Sequence, residues 1–152
     1  MRKLLFTLIP ALFFNTVFAK SNADSVPFKN DAGFIAAQKA LSDWKSAFNA
    51  QDAKGSAAQY EIGATMDAKP FGVYHGRTEI QKFWQGIIDS GFKNVKYQNT
   101  VWRKLDDQRY TVSSEFTMNK GFGVVHKELW VIQEDGTAKL RDDSFEVLGT
   151  TQ

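Results

Sequence analysis

Tyr110-Thr111-Val112-Ser113-Ser114-Glu115-Phe116-Thr117-Met118 alternates between two kinds of side chain along its whole length. Tyr110, Val112, Ser114, Phe116 and Met118 fall on one face. Arg109, Thr111, Ser113, Glu115 and Thr117 fall on the other. A period of two places successive side chains on opposite sides of a strand, so the stretch predicts a strand with one face buried and one in water. The same period runs on both sides of it. After Gly91 the chain reads as four strands, over about 93–105, 108–118, 123–134 and 138–148. Asp106-Asp107, Asn119-Lys120-Gly121 and Asp135-Gly136 supply the turns between them. The third strand is apolar on both sides: Val124, Trp130 and Ile132 share one face, and Val125, Leu129 and Val131 the other. It is therefore expected to be covered twice, by helices on one side and by a second subunit on the other.

Upstream of Gly91 the period is helical. Phe34, Ala37, Ala40, Leu41, Trp44 and Phe48 form one apolar stripe, with Asp31 placed to cap its start. A shorter helix is expected over Ala53–Glu61, and a short extended piece around Ala64–Ala68. Pro70 to Gly76 reads as a turn-rich loop. Thr78 and Gln81 have capping-box spacing, and Ile80, Phe83, Trp84, Ile87 and Ile88 give a third helix its buried stripe. Helices followed by an antiparallel meander predict an α+β fold. Three N-terminal helices would lie on one face of a curved sheet and enclose a pocket.

The first nineteen residues have the organisation of a signal peptide. Arg2 and Lys3 precede the apolar run Leu4 to Phe14, and Val17-Phe18-Ala19 provides small residues before a cut. The run is too short, and too interrupted by Pro10 and Asn15, for a spanning helix of about 20 residues. The chain is thus expected to divide into a signal peptide (1–19), a linker (20–30) and one domain (31–150), with a periplasmic or secreted product. Loss of Arg2 and Lys3 leaves 17 basic residues against 17 acidic ones. A neutral domain has no electrostatic reason to bind nucleic acid or an anionic membrane. There is no cysteine, so stability must come from packing rather than disulfides.

Three segments together carry a resemblance. Trp44…Phe48-Asn49-Ala50-Gln51-Asp52, Tyr74-His75-Gly76-Arg77…Ile80…Phe83-Trp84 and Glu128-Leu129-Trp130…Asp135-Gly136…Leu140-Arg141-Asp142-Asp143 resemble, in order, the helix end, the third-helix segment and the closing hairpin of the SnoaL-like, or nuclear transport factor 2-like, superfamily. The resemblance covers residues 34–147 and implies a cone-like α+β barrel with a deep pocket, often dimerised through its sheet. Ala138 stands where many members carry a second Trp. The superfamily includes ketosteroid isomerase-like enzymes, polyketide cyclases, dehydratases and members that only bind, so the fold leaves the activity open.

Candidate chemistry centres on Asp143. It shares strand parity with Phe145 and Val147, and the superfamily's closing Asp aligns with it. A carboxylate on an apolar face gains proton affinity and can move protons; at the rim it would instead pair with Arg141 or Arg103. His126 and Glu128 share parity with Trp130 and could form an acid/base pair if that face is inward, or point to an interface or solvent if it is not. Tyr74 could donate to a developing oxyanion, His75 reads as an exposed loop residue, and Asp67 is either a base entering the pocket or an exposed turn residue. Trp44, Tyr60, Trp84, Trp102, Phe116 and Trp130 are candidate pocket-wall aromatics, suited to a small apolar or aromatic ligand. Two histidines without cysteine form no metal-site spacing, and no nucleotide or dinucleotide fingerprint is present, so no cofactor is expected. Three functions remain open: a pocket that binds a small apolar ligand, an acid/base isomerase, lyase or cyclase with Asp143 as base, and a dimerisation or protein-interaction module.

Overall fold

The computed structural model describes residues 28–151. The segment expected to be a signal peptide (1–19) and most of the expected linker lie outside the described residues. The described end of the linker is a turn, closed by the Asp31 N–H on the Phe28 carbonyl (2.8 Å), and the Phe28 ring meets Phe34 edge-on at 5.6 Å.

Helix α1 (Ala32–Asn49) starts where the Asp31 carboxylate accepts the Phe34 N–H at 3.0 Å. Its stripe of Phe34, Ala37, Ala40, Leu41, Trp44 and Phe48 is buried, as the spacing predicts. Helix α2 (Ala53–Ala58) is capped by Asp52 and ends earlier than expected, because Tyr60 already begins a strand. The segment expected to be a short extended piece and a loop is a hairpin of β1 (Tyr60–Lys69) and β2 (Gly72–His75). Helix α3 (Gly76–Asp89) begins two residues before Thr78. Its first turn is held by the Glu79 carboxylate, which accepts the His75 N–H at 2.8 Å, rather than by a Thr78–Gln81 box. Ile80, Trp84 and Ile88 are its buried positions.

Four long strands follow: β3 (Lys96–Asp106), β4 (Arg109–Thr117), β5 (Gly121–Ile132) and β6 (Ala138–Thr150). The six strands form one sheet in the order β2-β1-β6-β5-β4-β3. All neighbours are antiparallel except β1 and β6, which run parallel. That parallel join brings the start of β1 beside the stretch of β6 that carries Asp143. The alternation of β4 holds: Tyr110, Val112, Ser114 and Phe116 are buried and the intervening residues are not.

The third long strand departs from simple parity. From Val125 to Glu128, β5 uses four residues where each neighbour uses three, Phe145 to Asp143 on β6 and Ser114 to Val112 on β4. A β-bulge of this kind leaves one residue unpaired and reverses the parity beyond it. Val125, Glu128 and Trp130 therefore all face the core. On the outer face, Val124 and Leu129 are half-buried among charged and polar neighbours that include His126, Lys127, Asp142 and Glu146. A second bulge, at Arg141 on β6, puts Leu140 and Asp143 on the same inward face.

Candidate functional site

The inward faces of β5 and β6 place two carboxylates side by side. Glu128 and Asp143 are register partners, and each is buried, at 3% and 6% exposure. Each has a tyrosine. The Tyr60 hydroxyl donates to Asp143 Oδ2 at 2.7 Å. The Tyr97 hydroxyl donates to Glu128 Oε1 at 2.6 Å, and Trp130 Nε1–H donates to Glu128 Oε2 at 2.9 Å. Both oxygens of Glu128 are thus occupied. Asp143 has Oδ2 occupied, and its side chain lines a small chamber with Trp44, Trp84, Tyr97, Phe116 and Phe145.

Burial dominates the electrostatics. An ionised carboxylate loses water's solvation in this setting, so its proton is held more tightly. Burial pushes Glu128 up to about 7, against the opposing hydrogen bonds from Tyr97 and Trp130. Asp143 is pushed well above the usual carboxylate range by burial first and by the neighbouring Glu128 charge second, with the Tyr60 hydrogen bond opposing. The two phenols are held protonated by burial and by the adjacent carboxylates. The dyad therefore binds protons near neutrality and presents a basic Asp143 to an apolar space once it ionises.

Tyr60, Trp84 and Tyr97 come from three different elements. Tyr60 opens β1, and the Arg77 guanidinium at the start of α3 anchors its carbonyl at 3.0 Å (Nε). Trp84, from the middle of α3, donates Nε1–H to the Tyr60 hydroxyl oxygen at 3.3 Å and stacks on Phe145 at 5.6 Å. Tyr97 turns inward because β3 carries its own bulge, where Asn99 adopts φ 52° and four residues from Gln98 to Val101 oppose three on β4.

Two spaces adjoin in the cone. The inner one, at Asp143, leaves about 20 Å³ open to the centre of a water molecule. The outer one leaves about 70 Å³ and is lined by rings and aliphatic groups, among them Phe71, Phe83, Phe92 and Phe122. Trp84, Phe116, Met118 and Phe145 belong to both walls. Phe71 and Phe122 are about half exposed, so the outer space opens at the rim.

The sequence candidates divide accordingly. Asp143, Tyr60, Trp44, Trp84, Phe116 and Trp130 come together in and around the chamber. His126 does not: the β5 bulge turns it to the outer face, where Nε2 lies 3.0 Å from Glu146. Parity linked His126 to Glu128, and the bulge separates them. Tyr74 reaches neither carboxylate; its hydroxyl contacts the Phe71 carbonyl at 3.4 Å and its ring packs on Phe83 at 4.8 Å. Trp102 packs on Phe34 at 5.3 Å and is not part of the chamber wall. Asp67 pairs with Lys69 at 3.6 Å, and His75 is exposed. Tyr97 was not a candidate from sequence, because the bulge that points it inward has only Asn99 as a local signal. Among the described residues no group of three or more His, Asp or Glu gathers as a metal site.

No sequence-family profile matches the chain, and no curated protein matches it in sequence. Solved structures do match. A protein of unknown function with a cystatin-like fold from Nostoc punctiforme superposes with a TM-score of 0.65 at 14% identity, covering 75% of this chain and 90% of that one. ActVI-ORFA from Streptomyces coelicolor gives 0.64 at 14% identity, covering 76% and 96%. A ketosteroid isomerase-like protein from Erwinia carotovora atroseptica gives 0.63 at 11% identity, covering 76% and 95%. At such identities the likeness concerns the fold alone.

Proposed function

From a chain that has the cone-like fold of the nuclear transport factor 2-like superfamily, we propose an acid/base catalyst that moves a proton on a small, largely apolar molecule. The observation that carries this reading is the buried Glu128–Asp143 pair, with Asp143 facing an apolar chamber and Tyr60 on one of its oxygens. Ionised Asp143 takes a proton from a carbon next to a carbonyl group. The resulting enolate is reprotonated by the same carboxyl group, at the same carbon or at another. Tyr60 follows the charge on Asp143, donating to Oδ2 in both halves of the cycle. Glu128, behind Asp143, keeps its proton affinity high and so makes it a stronger base than an exposed carboxylate.

The function proposed includes export after removal of residues 1–19, and a homodimer formed through the outer sheet face around Val124 and Leu129. Light scattering of the mature protein tests the dimer.

The test of the chemistry is exchange of the α-protons of β-tetralone, a flat ring ketone, followed by proton NMR in deuterium oxide. Catalysed exchange in the wild type, abolished in Asp143→Asn with the fold intact, supports the reading. Equal exchange in the variant removes Asp143 from the role.

A further inference from the structure

Three buried or nearly buried indoles surround the carboxylate pair, and two of them have acceptors. Trp84 Nε1–H donates to Tyr60, and Trp130 Nε1–H donates to Glu128. Trp44 does not: among the described residues its Nε1 is the one buried side-chain nitrogen or oxygen with no hydrogen-bond partner. Packing accounts for the ring. It stacks on Phe48 at 5.7 Å and meets Trp84 edge-on at 5.2 Å. Packing does not account for the N–H, since a buried donor without an acceptor costs free energy that a Phe at the same place would avoid.

Trp44 lines the same inner chamber as Asp143. We propose that Trp44 is a ligand-binding donor, whose Nε1–H takes the carbonyl oxygen of a flat, largely hydrocarbon ketone while the ligand's rings occupy the outer chamber. The sizes of the two spaces agree with this division. The inner chamber, at about 20 Å³, has room for a group the size of one oxygen. The outer chamber, walled by Phe71, Phe83, Phe92 and Phe122, offers only apolar contact to the remainder. One acceptor at the tip and a ring body behind it is the ligand that satisfies both. The inference rests on the acid/base reading of the site and deepens it. Trp44 and Asp143 line the same inner chamber, and the indole donates most strongly when the ligand's oxygen carries enolate charge.

The experiment uses β-tetralone and tetralin, the same ring system with and without the oxygen. Affinities for both are measured by calorimetry in the wild type and in Trp44→Phe, and the indole N–H resonances of the wild type are followed by heteronuclear NMR. The ratio of ketone to hydrocarbon affinity is expected to fall about tenfold in Trp44→Phe, the scale of one lost hydrogen bond. The Trp44 indole proton of the wild type is expected to move downfield with β-tetralone and not with tetralin. The resonance measurement stands even if the variant does not fold. An unchanged affinity ratio, or a Trp44 proton that stays in place while β-tetralone binds, overturns the donor role. Exchange of the α-protons with an unmoved Trp44 proton would sink the donor and leave the acid/base reading standing. A moved Trp44 proton without exchange would do the reverse. Binding of neither probe overturns both.

Discussion

Glu128 and Asp143 face each other across β5 and β6, buried on the same side of the sheet, with a tyrosine hydroxyl on each. Like charges directly opposite in a sheet repel, and neither side chain has a basic residue within salt-bridge distance among the described residues. The pair is most stable when it holds protons.

Stability should therefore fall as pH rises. Glu128 is raised from 4.5 to about 7 on folding, so the folded state binds more protons than the unfolded chain between those values. Its contribution is complete below about pH 4.5 and is lost on the way to about pH 7, a change of roughly 3 kcal/mol; Asp143 adds to it in the same direction. Asp31, Glu61, Asp106 and Asp135 are lowered instead, chiefly by hydrogen bonds from Lys104, Arg141, Arg109 and Thr137 respectively. They favour the folded state above the usual carboxylate range and lose that advantage in acid. The melting temperature should peak near pH 5 (about where the two trends cross) and decline toward neutrality. In Glu128→Gln the decline should shrink, with the variant gaining relative to the wild type between pH 5 and 7. A melting series across pH checks this, and a curve parallel to the wild type's would refute it.

Tyr60→Phe should be costly out of proportion to one oxygen. The hydroxyl donates to Asp143 and accepts from Trp84, so its removal leaves two buried polar groups short of a partner. A loss of about 2–4 kcal/mol is expected in urea unfolding, together with a further rise in the Asp143 pKa, since the hydrogen bond that lowers it is gone. A loss below 1 kcal/mol would mean that the hydroxyl is replaced by something else.

His126→Ala should change little. The ring is on the outer face and its pairing with Glu146 is open to solvent, so the stability change should lie within about 0.5 kcal/mol. Binding and α-proton exchange of β-tetralone should be those of the wild type. A large loss of exchange would place His126 in the chemistry after all.

Gly123→Ala should be among the most damaging single-methyl changes. A Cβ at Gly123 would collide with the Glu146 carbonyl oxygen and with the Phe116 ring at 2.6 Å. The backbone of β6 cannot yield as a side chain can, so a loss of about 3 kcal/mol or more is expected. Gly63→Ala, with nothing within 4 Å of the added methyl, is the control and should be near neutral.

Much of the fold was legible because it rests on local periodicity. The α1 stripe from Phe34 to Phe48, the Asp31 cap and the alternation of β4 all repeat within one element and need no neighbour to be read. The hairpin of β1 and β2 was not legible in the same way. Tyr60–Lys69 and Gly72–His75 are strands because they pair with each other and because β1 lies parallel to β6, a strand that comes last in the chain.

The site divides along the same line. Asp143 could be found from sequence, since it lies two positions from Phe145 and no irregularity intervenes. Glu128 inside with His126 outside, Tyr97 inside, and Tyr60 against Asp143 were decided by tertiary structure. Parity in a strand is a count, and a bulge changes the count by one. Whether a bulge forms depends on the register that neighbouring strands impose, here Phe145–Asp143 on one side of β5 and Ser114–Val112 on the other. By itself, the sequence determined the three helices, the four-strand meander and the strand parity that Asp143 shares with Phe145. The packing of the sheet decided which second carboxylate and which hydroxyls meet it, because those positions are set by residues far away in the chain.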